Sequence, residues 1–180
     1  MQDNFQVNFS IKGITSILIG AYLFISGFSI ETLLNNKTSL ETLSSNTIEN
    51  LIILIAVAFV LLSTLTLFFI GKKNVEKLKL QLFNDKTKAA VKKYSIVIGI
   101  TFISLFVLMN LELTNYLAPT FLIFHGILLL LFKKKERKNL LVLSAVSLLL
   151  AVMCFLIPTY WSSSLSILGI AHVAYGVVVK

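Results

Sequence analysis

The chain has 180 residues, of which 57% are hydrophobic and only 13% charged, with a mean hydropathy of +0.90 and a formal net charge of +8. Soluble domains carry about 25% charged residues, and a chain of this size has no core large enough to hide so much apolar surface. Composition therefore excludes an ordinary soluble domain and points to lipid as the missing solvent.

Uncharged runs succeed one another along the chain. Gly13–Ile30 spans 18 residues, Leu51–Gly71 spans 21, Tyr94–Leu111 spans 18 and Leu113–Phe132 spans 20. The last run, Asn139–Val179, spans 41 and is broken near its middle by Pro158, Tyr160, Trp161 and Ser162–Ser164. A helix rising 1.5 Å per residue needs about 20 residues to cross a ~30 Å hydrocarbon core. The 41-residue run is thus two crossings and a tight turn. The expected fold is all-α, a single polytopic membrane domain over 1–180 with six transmembrane helices near 13–33, 51–71, 94–111, 115–132, 139–157 and 162–179.

The first run is preceded by one positive charge, Lys12, and lacks a small-x-small cleavage site before Glu31, so it reads as a retained helix rather than a signal peptide. Three consecutive hairpins follow: 13–71, 94–132 and 139–179. In the first outer loop Thr38 and Glu41 have capping-box spacing, which predicts a short helix leading into the second crossing. Pro119 is expected to start or kink the fourth helix, and Tyr116, Tyr160 and Trp161 suit an outer aromatic belt.

A net charge of +8 would suit nucleic acid in a soluble protein, but here its placement has another explanation. Residues 72–93 carry eight lysines against Glu76 and Asp85, and 133–138 read KKKERK, whereas 31–50 are net acidic. Every second loop is strongly basic, as cytoplasmic loops are. This places both termini in the cytoplasm of a bacterial inner membrane, with no nucleic-acid partner expected. Within 72–93, Val75, Leu78, Leu82 and Phe83 share one helical face, with Lys72, Lys73, Lys77 and Lys79 mostly elsewhere. Such a helix would lie among the headgroups with its lysines on anionic lipid; a solvated linker is the alternative. Asn84–Asp85 reads as a break and a new helix start.

Small residues mark where membrane helices approach each other. Ser144, Ser147, Ala151 and Cys154 form one stripe; Ser16/Gly20 and Ser95/Gly99 are small-xxx-small pairs; Gly169, His172 and Gly176 share a face. Their partner is another helix of the chain or another subunit, a homo-oligomer included. Cys154 is the only cysteine, so no internal disulfide can form, and it reads as a small core residue.

His125 and His172 are the candidate site. Each lies eight residues before a lysine, Lys133 or Lys180, hence about 12 Å inward along a helix and near the bilayer middle. Sliding the second hairpin onto the third superposes these histidines, together with Ile123 on Ile170. The favoured reading is two neutral imidazoles hydrogen-bonded to a nearby hydroxyl or carbonyl, with Tyr175 one turn from His172, because a neutral ring is cheaper in lipid than a charge. A proton or ion relay and axial ligation of a haem are the functional alternatives. A relay would draw on Thr64, Thr66 and Ser104 as well.

No paired membrane carboxylates, HExxH, Gly-rich phosphate loop or Ser-His-Asp set is present, so neither enzyme activity nor a cofactor is expected. In its last two hairpins, with Pro158 in an outer turn and the return helix ending LGIAHVAYGVVVK, the chain resembles the HdeD-like family of small six-helix bacterial membrane proteins. It departs from that family in its long acidic first outer loop. The resemblance implies a stress- or acid-associated inner-membrane protein and carries no site residues. The expected function is a structural, accessory or stress-related membrane role, with a transporter or channel subunit built on His125/His172 as the alternative.

Overall fold

Lipid offers the backbone no hydrogen bonds, so an apolar segment that crosses it must satisfy its own N–H and C=O groups as a helix. The computed structural model, which describes residues 11–35, 45–77, 85–132 and 139–179, is helical almost throughout and has no strand among those residues. The helices are α1 (Ile14–Asn35), α2 (Ser45–Lys77), α3 (Asp85–Asn110), α4 (Leu117–Leu131), α5 (Asn139–Leu156) and α6 (Trp161–Val178). Short 3-10 turns at Thr114–Tyr116 and Pro158–Tyr160 lead into α4 and α6. Five helices are long and apolar enough to cross a membrane, and α5 contributes a shorter apolar stretch, Leu140–Leu156.

Two helices outrun their apolar segments. α2 continues through Lys72, Lys73 and Lys77, and α3 starts at Asp85, nine residues before the apolar run at Tyr94. Apolarity sets where lipid is, not where a helix ends, and lysine has good helix propensity with a stem long enough to reach water. The segment 72–93 is thus largely divided between two long helices rather than forming one of its own, with Val75 buried and the three lysines exposed. Lys79, Leu78, Leu82, Phe83, the 133–138 run and the Thr38/Glu41 cap lie outside the described residues.

Burial is inverted relative to a soluble protein. Ser16, Ser144, Ser147, Ser164 and His172 are fully buried, whereas Ile103, Phe106, Leu149 and Phe155 are each more than 60% exposed. Polar groups gather between helices and large apolar side chains face outward, as a lipid surround requires.

The most extensive interfaces join α1 to α6 and α4 to α5, with smaller ones between α1 and α2, α3 and α4, and α5 and α6. A reading as three successive hairpins does not anticipate this emphasis. Neighbours run in the order α2, α1, α6, α5, α4, α3, and a Thr64–Tyr94 hydroxyl contact of 2.7 Å links the two end members.

The α1–α6 seam is built from glycine. Gly13, Gly20 and Gly27 recur every seven residues on α1 and at its start, and face Gly176, Gly169 and Leu165 in antiparallel order. A Cβ on Gly20 would stand 2.5 Å from the Gly169 carbonyl oxygen, and one on Gly176 would stand 2.6 Å from that of Gly13. A seven-residue repeat keeps one face of each helix on the other along its length. At the end of the seam Gly13 adopts φ 51° and donates its N–H to the Val179 carbonyl at 2.7 Å, so the start of α1 and the end of α6 sit together. At the opposite end Ser162 donates to Glu31 Oε2 at 2.6 Å.

The α3–α4 turn is closed differently. Glu112 takes φ 57°, its N–H reaching the Met109 carbonyl while Leu113 N–H reaches that of Leu108. This is a Schellman ending with glutamate at the left-handed position, where glycine is usual. In contrast to the seam glycines, Gly99 has nothing within 4 Å of a would-be Cβ.

Gly20→Ala and Gly176→Ala should therefore each lower stability by about 1–3 kcal/mol through backbone overlap. Gly99→Ala should leave it unchanged or slightly raised. Thermal unfolding of the full chain in detergent checks the contrast; equal behaviour of the three variants would contradict the seam.

Candidate functional site

The site is where the seam meets α4. His172 lies on the glycine face of α6 and is fully buried against α1, because Gly20 leaves room for its Cβ. His125 projects from α4 and is half-buried. The two rings meet with Nε2 atoms 2.9 Å apart and centroids 5.1 Å apart at an interplanar angle of 60°. The two histidines that superpose under the hairpin shift are thus in direct contact, and their companions Ile123 and Ile170 both face outward.

One assignment of tautomers satisfies all of these hydrogen bonds together. Ser16 Oγ lies 2.8 Å from the His172 carbonyl oxygen and 3.2 Å from His172 Nδ1. The carbonyl can only accept, which commits the single hydroxyl proton of Ser16. The Nδ1 contact then requires Nδ1–H of His172 to donate to Ser16 Oγ. A neutral His172 with Nδ1–H has a bare Nε2, so His125 must donate through Nε2–H. The chain of donors runs from His125 to His172 to Ser16 and ends on a backbone carbonyl. His125 Nδ1 has no partner among the described residues.

Aromatic rings support His125 from its other side. Phe121, one turn earlier on α4, stacks on the imidazole with centroids 5.9 Å apart and an interplanar angle of 24°. Phe59 of α2 meets Phe121 edge to face at 6.0 Å. The line Phe59, Phe121, His125, His172, Ser16 therefore joins α2, α4, α6 and α1.

The other singled-out polar residues fall into separate bonds. The Ser144–Ser147 stripe packs on α4, with Ser144 Oγ donating to the Gly126 carbonyl at 2.7 Å and Ser147 Oγ to that of Leu122 at 2.8 Å. Thr64 contacts Tyr94, and Thr66 contacts Tyr22 at 3.3 Å, neither contact involving a histidine. Ser16 was legible only as a small packing residue; its hydrogen-bonding role appears once α1 is seen against α6.

A haem between the rings does not fit the pair as placed. Two bonds of about 2 Å from one metal to two imidazoles hold the nitrogens ~4 Å apart, whereas these are at hydrogen-bond distance. Among the described residues no three His, Cys, Asp or Glu side chains gather as a metal site. Compared with protein families, with characterised proteins and with solved structures, the chain finds no match.

A double-mutant cycle over His125→Ala and His172→Ala should show coupling of roughly 0.6–1.7 kcal/mol, the range for hydrogen bonds between membrane helices. Strictly additive losses in thermal unfolding would mean that the rings do not bond.

Proposed function

We propose that the chain is a six-span, non-enzymatic protein of a bacterial cytoplasmic membrane, with a structural, accessory or stress-related role. The observation that carries the non-enzymatic reading is the histidine pair itself. Its bonding nitrogens are committed to each other and to Ser16, which is how a packing tie is built. The resemblance of the hairpin layout to the HdeD-like family supports the stress-related side of that role. α5, with 18 residues, is ~27 Å long and supplies the sixth span alongside the five other candidate spans. Antiparallel contact of α1 with α6 supports placing both ends on one side, and the basic loops support the cytoplasm as that side. Lys72, Lys73 and Lys77 then extend from the inner end of α2 toward anionic headgroups. A transporter or channel subunit using the His125/His172 region is the second reading, favoured by the partial exposure of His125.

Topology is tested with single cysteines in a Cys154→Ser background. Cysteines at Ser45 and Tyr160 should react with a membrane-impermeant thiol reagent added outside intact cells, and those at Lys79 and Glu136 should not. Labelling at Lys79 without labelling at Ser45 would reverse the orientation. The role is tested in proteoliposomes, where the purified protein should be colourless and pass neither protons nor small ions; a flux abolished by His125→Gln and His172→Gln alike would replace the accessory reading with the transporter one.

A further inference from the structure

We infer that the His125–His172 pair is a binding site for one proton, taken up at His125 Nδ1 and held there rather than passed across the bundle. The inference goes beyond the accessory role and stands on the geometry of the pair alone.

Capacity follows from counting lone pairs. On His172 both nitrogens are engaged, Nδ1–H on Ser16 and Nε2 on His125. A proton added to His172 Nε2 would set two N–H groups against each other at 2.9 Å and break the contact. His125 Nδ1 is the remaining basic nitrogen. A proton arriving there forms one N–H bond, moves no electrons to or from any other group, and takes the pair from neutral to +1. Nε2–H of His125 still points at His172, and the bond becomes charge-assisted and stronger. A second proton has no place in this geometry.

A charge at this depth needs compensation, and the surroundings offer one specific source. The Phe121 ring stacks on that of His125 at an interplanar angle of 24° with centroids 5.9 Å apart, within the ~6 Å range over which an aromatic face attracts a cation. Other ionisable groups on the helices around the pair are Tyr22 on α1, Tyr94 on α3, Cys154 on α5 and Tyr175 on α6. None of these side chains is a carboxylate that could pair with the added charge. The described carboxylates stand toward helix ends, with Glu31 on Ser162, Glu76 near Lys72, Asp85 near Lys88, and Glu112 in the α3–α4 turn. Lys12 and the lysines of α2 and α3 lie toward the inner helix ends. Among the described residues the pair is thus the basic group of the bundle interior, imidazole being a side chain that takes on charge by binding a proton.

Retention follows from the far end of the chain. A proton handed through His172 would reach Ser16, whose hydroxyl is committed to the His172 carbonyl. An amide carbonyl has no proton to release onward, so the line is closed.

The test is nitrogen NMR of the full chain, labelled at histidine and held in lipid nanodiscs, across a pH series. At high pH His172 should show the Nδ1–H tautomer and His125 the Nε2–H tautomer. On acidification one proton should be taken up, His125 becoming doubly protonated while His172 keeps its tautomer. His125→Gln, whose amide N–H can still donate to His172, should abolish uptake and leave the His172 tautomer in place. Ser16→Ala should let the His172 tautomer interchange while His125 still titrates. First titration at His172, uptake of two protons together, or no titration before the fold is lost would overturn the site. Proton flux through the wild type in proteoliposomes would overturn the closed end. None of these readouts depends on which face of the membrane the termini occupy, so a reversed topology in the cysteine experiment would leave them unaffected.

Discussion

The close approach of α1 and α6 is the constraint on which the other contacts depend. Lipid removes the hydrophobic drive between helices, because the tails are as apolar as leucine; association rests on van der Waals contact and hydrogen bonds, both of which need near backbones. Glycine at 20, 169 and 176 supplies that nearness, and a Cβ at any of them would meet backbone of the facing helix within about 3 Å. Only with the backbones this close does the short side chain of Ser16 reach both the carbonyl and the ring of His172. The same approach sets Gly13 N–H on the Val179 carbonyl and Ser162 on Glu31 at the two ends.

The α5–α4 interface follows the same plan with different residues. Serines on α5 donate to carbonyls of α4, as Ser16 of α1 donates to α6, and Gly126 admits Leu148 as the seam glycines admit their neighbours. The two interfaces present their histidines to each other. They differ in one respect that gives the pair its asymmetry. Ser16 serves the carbonyl of the histidine residue itself and so also touches its ring, whereas Ser144 serves the carbonyl one residue beyond His125. His172 is thereby fixed from behind and His125 is not. A shift of one residue in register separates a saturated imidazole from one with a free nitrogen.

Much of the helical plan was legible because hydropathy reports lipid directly. The apolar runs located each helix to within a few residues at its lipid-facing ends, and Asp85 was readable as a helix start. The helices ran past those runs at 72–77 and 85–93, where lysine-rich helix leaves no hydropathy signal. The small-residue stripes were legible as contacts but not as pairings, since spacing on one helix says nothing about which helix faces it. That is why Ser144 and Ser147 could be seen without Gly126 and Leu122. Ser95 and Gly99 show the limit of the rule: the same spacing lies on an exposed face, with open space beside Gly99. The histidines stood out as rare polar groups at one depth, yet their contact depends on α4 and α6 facing each other from either side of α5, which no local pattern encodes.

The pair also couples unequally to the rest of the bundle. On the His172 side lie the glycine contacts of the seam, where a Cβ at Gly20 would stand 2.8 Å from that of His172. On the His125 side lie Phe121 and then Phe59, two rings in edge and face contact whose geometry tolerates sliding better than a carbonyl against a Cβ does. α2, which carries Phe59, packs on α1 and meets α3 through Thr64 and Tyr94. His125 thus reaches α2 through two aromatic contacts, whereas His172 reaches α1 through a serine hydrogen bond and glycine backbone.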